Sequence, residues 1–428
     1  MRKASRLVVT LNLIYSFAGA QTDSVSLFQC FEAVRNHAAI KPQLEMMVEI
    51  ADLKVTNYKV TSLPSLNAYG KAWYQSEAMS INLPGMGAIE VDPFQYNFGI
   101  EANQKLFDGG MVKKSRELEI ANLAAETGRI ETELYQLNNQ TVQYFFGSLL
   151  FGRNKEVIQL KEEILQKRVK ELQSAYDHGV IPKNELDKLK TEVMATQQQI
   201  TEIEKLRLQS LSNLKILTGL EIRPDALLFI PDSIFSIKTS IRPEYDYFDA
   251  EVQRLQSIIS LKSRQNLPKL FAYGQLGYSY PGLNFFENQP NYYYMVGARL
   301  SWTIFDWRMV NRETQVIKRQ QEIITTKKTD FDQNMNLSVE REKIEQEKLR
   351  ELIAMDEVII VQRNSIATGS ASALQNGVIT SAAYLEDLNN EIRARVELET
   401  HKIQLMNSVV RLYLLNGIDT SYNPIESE

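Results

Sequence analysis

Four sequence landmarks recur at one fixed spacing, and this repetition constrains the fold more than any other feature. Each landmark returns 198 residues later. The pairs are Phe107-Asp108 with Phe305-Asp306, Met111-Val112 with Met309-Val310, Gly179-Val180-Ile181 with Gly377-Val378-Ile379, and Leu217 and Gly219 with Leu415 and Gly417. A period this long is not that of a short solenoid. The spacing therefore predicts two similar halves that arose by tandem duplication.

Composition argues against several classes of protein. The 428 residues carry a formal net charge of −5, which does not suit a nucleic-acid-binding surface. No run of about 18 apolar residues occurs, so the sequence offers no membrane-spanning helix. It also lacks a phosphate-binding loop, a nucleophile elbow and a glycine-rich dinucleotide turn. We therefore expect no enzyme activity, no cofactor and no metal site.

The first twenty residues are similar to a secretory signal peptide. Basic residues near the N-terminus precede a short apolar run, and Ala18-Gly19-Ala20 fits the small-residue cleavage rule. Residues 1–20 are thus expected to be removed, with Gln21 as the first mature residue. The single cysteine, Cys30, cannot form an internal disulfide and is expected to be a buried thiol.

Hydrophobicity alternates along the segment from Phe94 to Phe107, which predicts a β-strand. One face carries Phe94, Tyr96, Phe98, Ile100, Ala102 and Leu106, and the other carries Gln95, Asn97, Gly99, Glu101, Asn103 and Lys105. The second copy has the same alternation from Tyr292 to Ile304. A period of two gives one dry and one wet face. About ten tilted residues are enough for a strand to cross a bilayer.

An aromatic-rich run precedes each alternating strand, and turn residues lie between the two. This arrangement predicts one β-hairpin at about 65–107 and another at about 269–305. A hairpin cannot close a barrel, and lipid does not tolerate open sheet edges. Four strands per chain therefore require partner chains, and three chains would supply twelve strands.

Long helices are expected after each hairpin. Residues 111–178 lack proline and are rich in good helix formers, which predicts a helix of about 100 Å. The predicted helices are 111–178, 183–218, 309–376 and 381–416, with a shorter one at 245–266. Helices of this length need lateral partners, so we expect antiparallel coiled-coil packing. The helix at 111–178 would lie beside two shorter ones, 183–218 and 245–266, stacked end to end.

The fold class predicted from these patterns is mixed α and β, mostly α, with two tandem repeats. Each repeat would combine a transmembrane β-hairpin with long antiparallel helices. The predicted divisions are a signal peptide (1–20), a first repeat (21–219), a linker that bulges out (220–243), a second repeat (244–417) and a C-terminal tail (418–428).

This architecture resembles the TolC family of outer-membrane efflux proteins, and the resemblance extends from Leu27 to Gly417. Several local motifs carry it in the same order as in the family. The first is Lys41-Pro42-Gln43-Leu44, which precedes an ascending helix and has its counterpart in Arg242-Pro243-Glu244-Tyr245. The second is Leu106-Phe107-Asp108-Gly109-Gly110 at a strand-to-helix junction, repeated in part as Phe305-Asp306, and the third is Ala175-Tyr176 with Gly179-Val180-Ile181 at a helix tip.

The resemblance implies a homotrimer with a twelve-stranded barrel in outer-membrane lipid of a Gram-negative bacterium. An α-helical tunnel would extend into the periplasm and meet a periplasmic adaptor and an inner-membrane transporter. The helix tips Gly179-Val180-Ile181 and Gly377-Val378-Ile379 would contact the adaptor. Such a duct conducts its cargo passively, and the sequence does not name that cargo.

The family's closed end is narrowed by acidic residues six and nine positions beyond the second tip glycine. Here these positions hold Ala383 and Glu386, and Asp387 follows. Glu386 and Asp387 are therefore candidates for a pore constriction, with a solvated helix face as the alternative. For the whole chain, the alternative is a structural or adhesive coiled-coil protein of the envelope without a transport role.

Overall fold

The computed structural model describes residues 22–77, 80–83, 87–230, 242–284 and 287–417. The predicted signal peptide, the C-terminal tail and residues 231–241 of the predicted linker lie outside these ranges.

The described residues form seven helices, which account for most of the chain. They are α1 (Leu27–His37), α2 (Gln43–Val60), α3 (Met111–Asp177), α4 (Lys183–Thr218), α5 (Pro243–Lys262), α6 (Met309–Gln375) and α7 (Ser381–Leu415). Helices α3 and α6 contain 67 residues each, which is about 100 Å at 1.5 Å per residue. The four long helices begin and end within one residue of the predicted bounds. Helix α5 begins two residues earlier than predicted, at Pro243, where a missing N–H costs no helical hydrogen bond. It ends four residues earlier than predicted, at Lys262, because tighter turns follow, with Arg264 and Gln265 bonding to carbonyls three residues back.

Eight strands are described. They are β1 (Thr22–Ser26), β2 (Ser65–Tyr74), β3 (Ser80–Leu83), β4 (Gly87–Glu90), β5 (Phe94–Phe107), β6 (Ile222–Phe229), β7 (Lys269–Tyr280) and β8 (Asn291–Ser301). Strands β2, β5, β7 and β8 form one antiparallel sheet in that order. The pairing of β5 with β7 therefore joins the hairpins of the two halves.

The second hairpin is shorter than predicted. Strand β8 ends at Ser301, whereas the alternating pattern continued to Ile304. Ser301 pairs with Lys269, the first residue of β7, so no neighbour remains to extend the ladder. The first hairpin loop also differs from the prediction, because β3 and β4 form a small antiparallel ribbon within it.

The predicted linker at 220–243 does not simply bulge out. Its first part forms β6, which pairs in parallel with β1 near the start of the described chain. Ile222 and Ala226 are buried there in the same hydrophobic cluster as Val25. The partner strand lies about 200 residues away in sequence, so no local pattern indicates the pairing.

The chain divides into two compact units, each built from segments of both halves. The helical unit falls within Met1–Lys41, Glu133–Arg242 and Asn334–Glu428, and the sheet unit comprises Pro42–Thr132 and Pro243–Gln333. The helical unit has two hydrophobic clusters, one around Phe31 and Phe145 and the other around Leu189 and Tyr384.

In the sheet unit, aromatic contacts join α5 to α6. The ring of Phe331 lies 5.4 Å from that of Tyr245 and 5.8 Å from that of Phe248, measured between centroids. Such pairs add to the stabilisation from buried area.

Cys30 is fully buried in the helical unit, as predicted. Burial disfavours the thiolate and raises the pKa of this thiol to about 12. Within the described part of the chain, none of the helices combines the length and hydropathy that crossing a membrane requires.

Candidate functional site

The four-stranded sheet separates charged from uncharged side chains. All five charged residues of its strands, Lys71, Glu101, Lys105, Lys269 and Arg299, lie at odd-numbered positions on one face, here called the polar face. The opposite face, here called the apolar face, carries the even-numbered residues and no charge. It is exposed in a single chain: 80% of the surface of Val296 and 62% of that of Leu276 are accessible to solvent. The alternation predicted for β5 is thereby confirmed, and an apolar face of this extent suits contact with lipid.

Aromatic side chains gather near both ends of the sheet. Near the hairpin loops, the rings of Tyr278 and Tyr292 lie 4.8 Å apart and those of Tyr96 and Tyr280 5.7 Å apart. Beyond the opposite end of β8, the rings of Phe305 and Trp307 lie 4.9 Å apart. Aliphatic residues such as Ile100, Leu276 and Val296 occupy the band between. Two aromatic borders around an aliphatic band are typical of membrane-spanning strands.

Tyrosines on the polar face lie flat over glycines of neighbouring strands. One row across the sheet consists of Tyr69, Gly99, Gly277 and Tyr293. A Cβ atom at Gly99 would come within 2.7 Å of the Tyr69 hydroxyl, and one at Gly277 within 2.6 Å of Tyr293 Cζ. The tyrosine rings therefore line this face instead of projecting from it, and only glycine leaves room for them.

An aspartate caps the helix at each strand-to-helix junction. Asp108 accepts hydrogen bonds from the backbone N–H groups of Gly110 (2.8 Å) and Val112 (2.7 Å) at the start of α3. Asp306 accepts them from Arg308 (2.9 Å) and Val310 (3.1 Å) at the start of α6. These bonds satisfy N–H groups that the helix itself leaves unpaired.

The two junctions share one backbone shape but not one sequence. Gly109 and Gly110 have positive φ angles of 69° and 83°, and Trp307 and Arg308 have 54° and 60° at the equivalent positions. Only glycine adopts this conformation without steric cost. The pKa of the Asp306 carboxyl is lowered, mainly by the hydrogen bond from the backbone N–H of Val310 and next by that from the Asn266 side chain.

Both predicted helix tips are glycine turns of the same type. Gly179 and Gly377 have φ angles of 74° and 71°. The N–H of the next residue, Val180 or Val378, bonds to the carbonyl five residues earlier at 2.9 Å. This is the Schellman arrangement that ends a helix. Val180 and Val378 protrude, with 73% and 75% of their surface exposed.

A carboxylate on one tip holds the helix start of the other. Glu185 of α4 accepts hydrogen bonds from the backbone N–H of Ser381 in α7 (2.7 Å) and from Lys188 Nζ (2.8 Å). The pKa of the Glu185 carboxyl is lowered, mainly by the hydrogen bond from Lys188 and next by that from the Ser381 N–H. Residues of both tips line a cleft of about 540 Å³ here, among them Ile181 and Ile379.

The two constriction candidates have different surroundings. Glu386 is exposed on α7. Asp387 is partly buried and accepts a hydrogen bond from Ser370 Oγ of α6. Of the two carboxylates, Glu386 is therefore the one exposed to solvent.

The acidic, histidine and cysteine side chains of the described ranges are dispersed. There, no group of three or more His, Cys, Asp or Glu side chains comes together as a metal site. His401 is tied to Asp356 by a contact of 2.6 Å between Nδ1 and Oδ2.

The Tyr69–Tyr293 row and the role of Glu185 have no local signature in the sequence. The row depends on the register of four strands from both halves, and the Glu185 contact joins residues 196 positions apart. The only available signal was the presence of tyrosine and glycine on the polar face.

Comparison with known proteins agrees with this architecture. The sequence profile of the family described as "Outer membrane efflux protein" matches residues 43–220. No curated protein sequence matches the chain significantly.

Solved structures of outer-membrane channels share the fold. The CmeC outer membrane channel of Campylobacter jejuni is 14% identical, with 94% of this chain and 88% of that chain covered and a TM-score of 0.67. The outer membrane protein VceC of Vibrio cholerae is 13% identical, with coverage of 91% and 96% and a TM-score of 0.67. The open state of the MtrE outer membrane channel of Neisseria gonorrhoeae is 15% identical, with coverage of 91% and 89% and a TM-score of 0.64.

The family match favours the predicted efflux channel over a coiled-coil envelope protein without a transport role. Together with the mostly helical fold shared with outer-membrane channels, it confirms the resemblance of this chain to the TolC family of outer-membrane efflux proteins.

Proposed function

We propose that this chain is the outer-membrane exit duct of a tripartite efflux or secretion system. It conducts cargo passively, and its partners supply energy and selectivity. The observation that carries the proposal is the sheet with one uncharged, exposed face, followed in each half by a helix of 67 residues. A coiled-coil protein of the envelope has no need of such a sheet.

The open edges of the sheet support a homotrimer. Strands β2 and β8 lie at its edges. An unpaired edge in lipid leaves backbone groups without hydrogen bonds, so each edge must meet another copy. Three copies of the four-stranded sheet give a twelve-stranded barrel, with the apolar face towards outer-membrane lipid and the polar face towards the lumen.

The helix tips are the proposed contact with the periplasmic adaptor and, through it, with the inner-membrane transporter. Val180 and Val378 offer two exposed apolar side chains on rigid turns. In this arrangement the helices occupy the periplasm of a Gram-negative bacterium. Glu386 is the proposed constriction carboxylate, whereas Asp387 supports α7 through its bond to Ser370.

Cysteine cross-linking in the native membrane tests the trimer and the location together. One cysteine replaces Leu66 on β2, and a second replaces Val296, Ala298 or Leu300 on β8. Cys30 can stay, because it is buried and its pKa is raised to about 12. We expect one pairing to yield a covalent trimer in the outer-membrane fraction. Monomers in a soluble periplasmic pool would favour the coiled-coil alternative.

Substitution at the helix tips tests the duct. Replacing both Val180 and Val378 with Glu should abolish efflux of a fluorescent dye while the trimer still forms. Replacement by Ile keeps the tips apolar and serves as the matched control. Normal efflux in cells carrying the Glu variants would contradict the proposed docking.

A further inference from the structure

We propose that the polar face of the sheet makes the exit segment of the channel favour anions, in contrast to the proposed ring of Glu386 carboxylates at the other end, which would favour cations. This inference rests on the proposed function, because it takes the polar face to line a lumen.

The charge on the polar face is unbalanced. It carries four cations, Lys71, Lys105, Lys269 and Arg299, against one carboxylate, Glu101. Three of the four cations lie in the half of the sheet next to the long helices. Lys105, Phe271 and Arg299 form one row across β5, β7 and β8, and Lys269 lies at the adjacent end of β7.

Two of the four cations lie over aromatic rings of the polar face. The guanidinium of Arg299 lies 5.4 Å from the ring centroid of Phe271, and Lys71 Nζ lies 4.7 Å from that of Trp73. A cation over an aromatic face keeps its full charge. These contacts fix the two cations along the strands.

The single carboxylate accepts hydrogen bonds from neighbouring amides, and these bonds outweigh its electrostatic interaction with Arg299. Glu101 accepts a hydrogen bond from Gln275 Nε2 at 2.7 Å and another from the Asn103 amide. The nearby aspartates Asp108 and Asp306 lie beyond the ladder and bond to the N–H groups at the starts of α3 and α6. Those helix ends carry partial positive charge, which offsets the two aspartates in part.

A ring of like charges is what gives a pore its preference for one sign of ion. Three copies would place the four cations and one carboxylate of each chain around one lumen. The Debye length is about 10 Å at 0.1 M salt and about 3 Å at 1 M, so the preference should be clear in dilute salt and weak in concentrated salt.

Reversal potentials of the purified full-length channel in planar bilayers test the inference, with a gradient of dilute potassium chloride as the probe. The triple variant Lys105→Gln, Lys269→Gln and Arg299→Gln should move the reversal potential towards that of potassium. Glu101→Gln is the matched control of opposite sign and should move it towards that of chloride. Both shifts should shrink in 1 M salt.

The two hypotheses fail in different ways. If both variants conduct but neither shifts the reversal potential, the anion preference is wrong and the proposed duct still stands. Shifts of both variants in the same direction would also overturn it. A folded, trimeric protein that forms no conducting pore would instead contradict the proposed function.

Discussion

The hydroxyl oxygens of Tyr69 and Tyr293 lie 2.6 Å apart, although these residues belong to the two edge strands of the four-stranded sheet. The rings reach towards each other over Gly99 and Gly277, and Tyr293 also donates to Asn97 Oδ1 at 2.9 Å. The contact joins β2 from the first half to β8 from the second. It therefore ties the two hairpins together on the polar face, in addition to the backbone ladder between β5 and β7.

Gly277→Ala should destabilise the sheet by about 1–3 kcal/mol, the usual cost of overpacking. The added Cβ would lie 2.6 Å from Tyr293 Cζ and would push that ring away from the polar face of the sheet. Gly274→Ala in the same strand is the control, because a Cβ there meets nothing within 4 Å. Thermal unfolding of the trimer in detergent should show a lower midpoint for the first variant only. Equal midpoints would show that Tyr293 moves without cost.

Arg308→Gly should stabilise the second junction by roughly 0.5–1 kcal/mol. The residue has a φ of 60°, where a side chain costs about 1–2 kcal/mol, and the greater freedom of glycine in the unfolded chain offsets part of the gain. The equivalent residue of the first half is Gly110, whose added Cβ would meet nothing within 4 Å. Gly110→Ala should therefore have the opposite effect, through the backbone alone. The comparison needs only unfolding midpoints, and two changes of the same sign would contradict it.

The repeating elements of this chain could be predicted from its sequence because their signals are local. The alternation of β5 lies within fourteen residues, and the turns at Gly179 and Gly377 follow from the need for a positive φ. Helices α3 and α6 follow from long stretches without proline. Each of these patterns depends on neighbours along the chain.

The contacts that join distant segments could not be predicted in this way. Strand β6 looked like part of a linker because its partner, β1, lies about 200 residues earlier. The hydrogen bond between Glu185 and the N–H of Ser381 depends on how two helix tips meet. Asp387 looked equivalent to Glu386 until its bond to Ser370 set it apart. A pattern read along one chain does not contain the register between such segments.

Gly128→Ala should separate α3 from α5 and destabilise the protein by about 1–3 kcal/mol. A Cβ at this position would lie 2.9 Å from Cα of Tyr247, so backbone and not a flexible side chain stands in the way. Gly369→Ala in α6 is the control, since the added methyl meets nothing within 4 Å. That variant should be neutral or slightly stabilising, because alanine favours helix over glycine. A Gly128→Ala protein as stable as the control would show that the helices can shift freely.

The link between Glu185 and the start of α7 should weaken in acid. The bonds from Lys188 and the Ser381 N–H lower the pKa of Glu185, so the carboxylate contributes fully above its ordinary pKa of 4.5 and its contribution is lost as pH falls through the lower, folded value. Glu185→Gln should cost about 1.5–3 kcal/mol at neutral pH, typical of a hydrogen bond to a charged group. Its unfolding midpoint should converge with that of the unmodified protein at acidic pH. Glu204→Gln is the control, because a hydrogen bond from Lys155 also lowers the pKa of Glu204. The ion pair between Lys155 and Glu204 is exposed to solvent, so its loss should change the stability little. A difference for Glu185→Gln that persists unchanged into acid would mean that shape, and not charge, holds the two tips together.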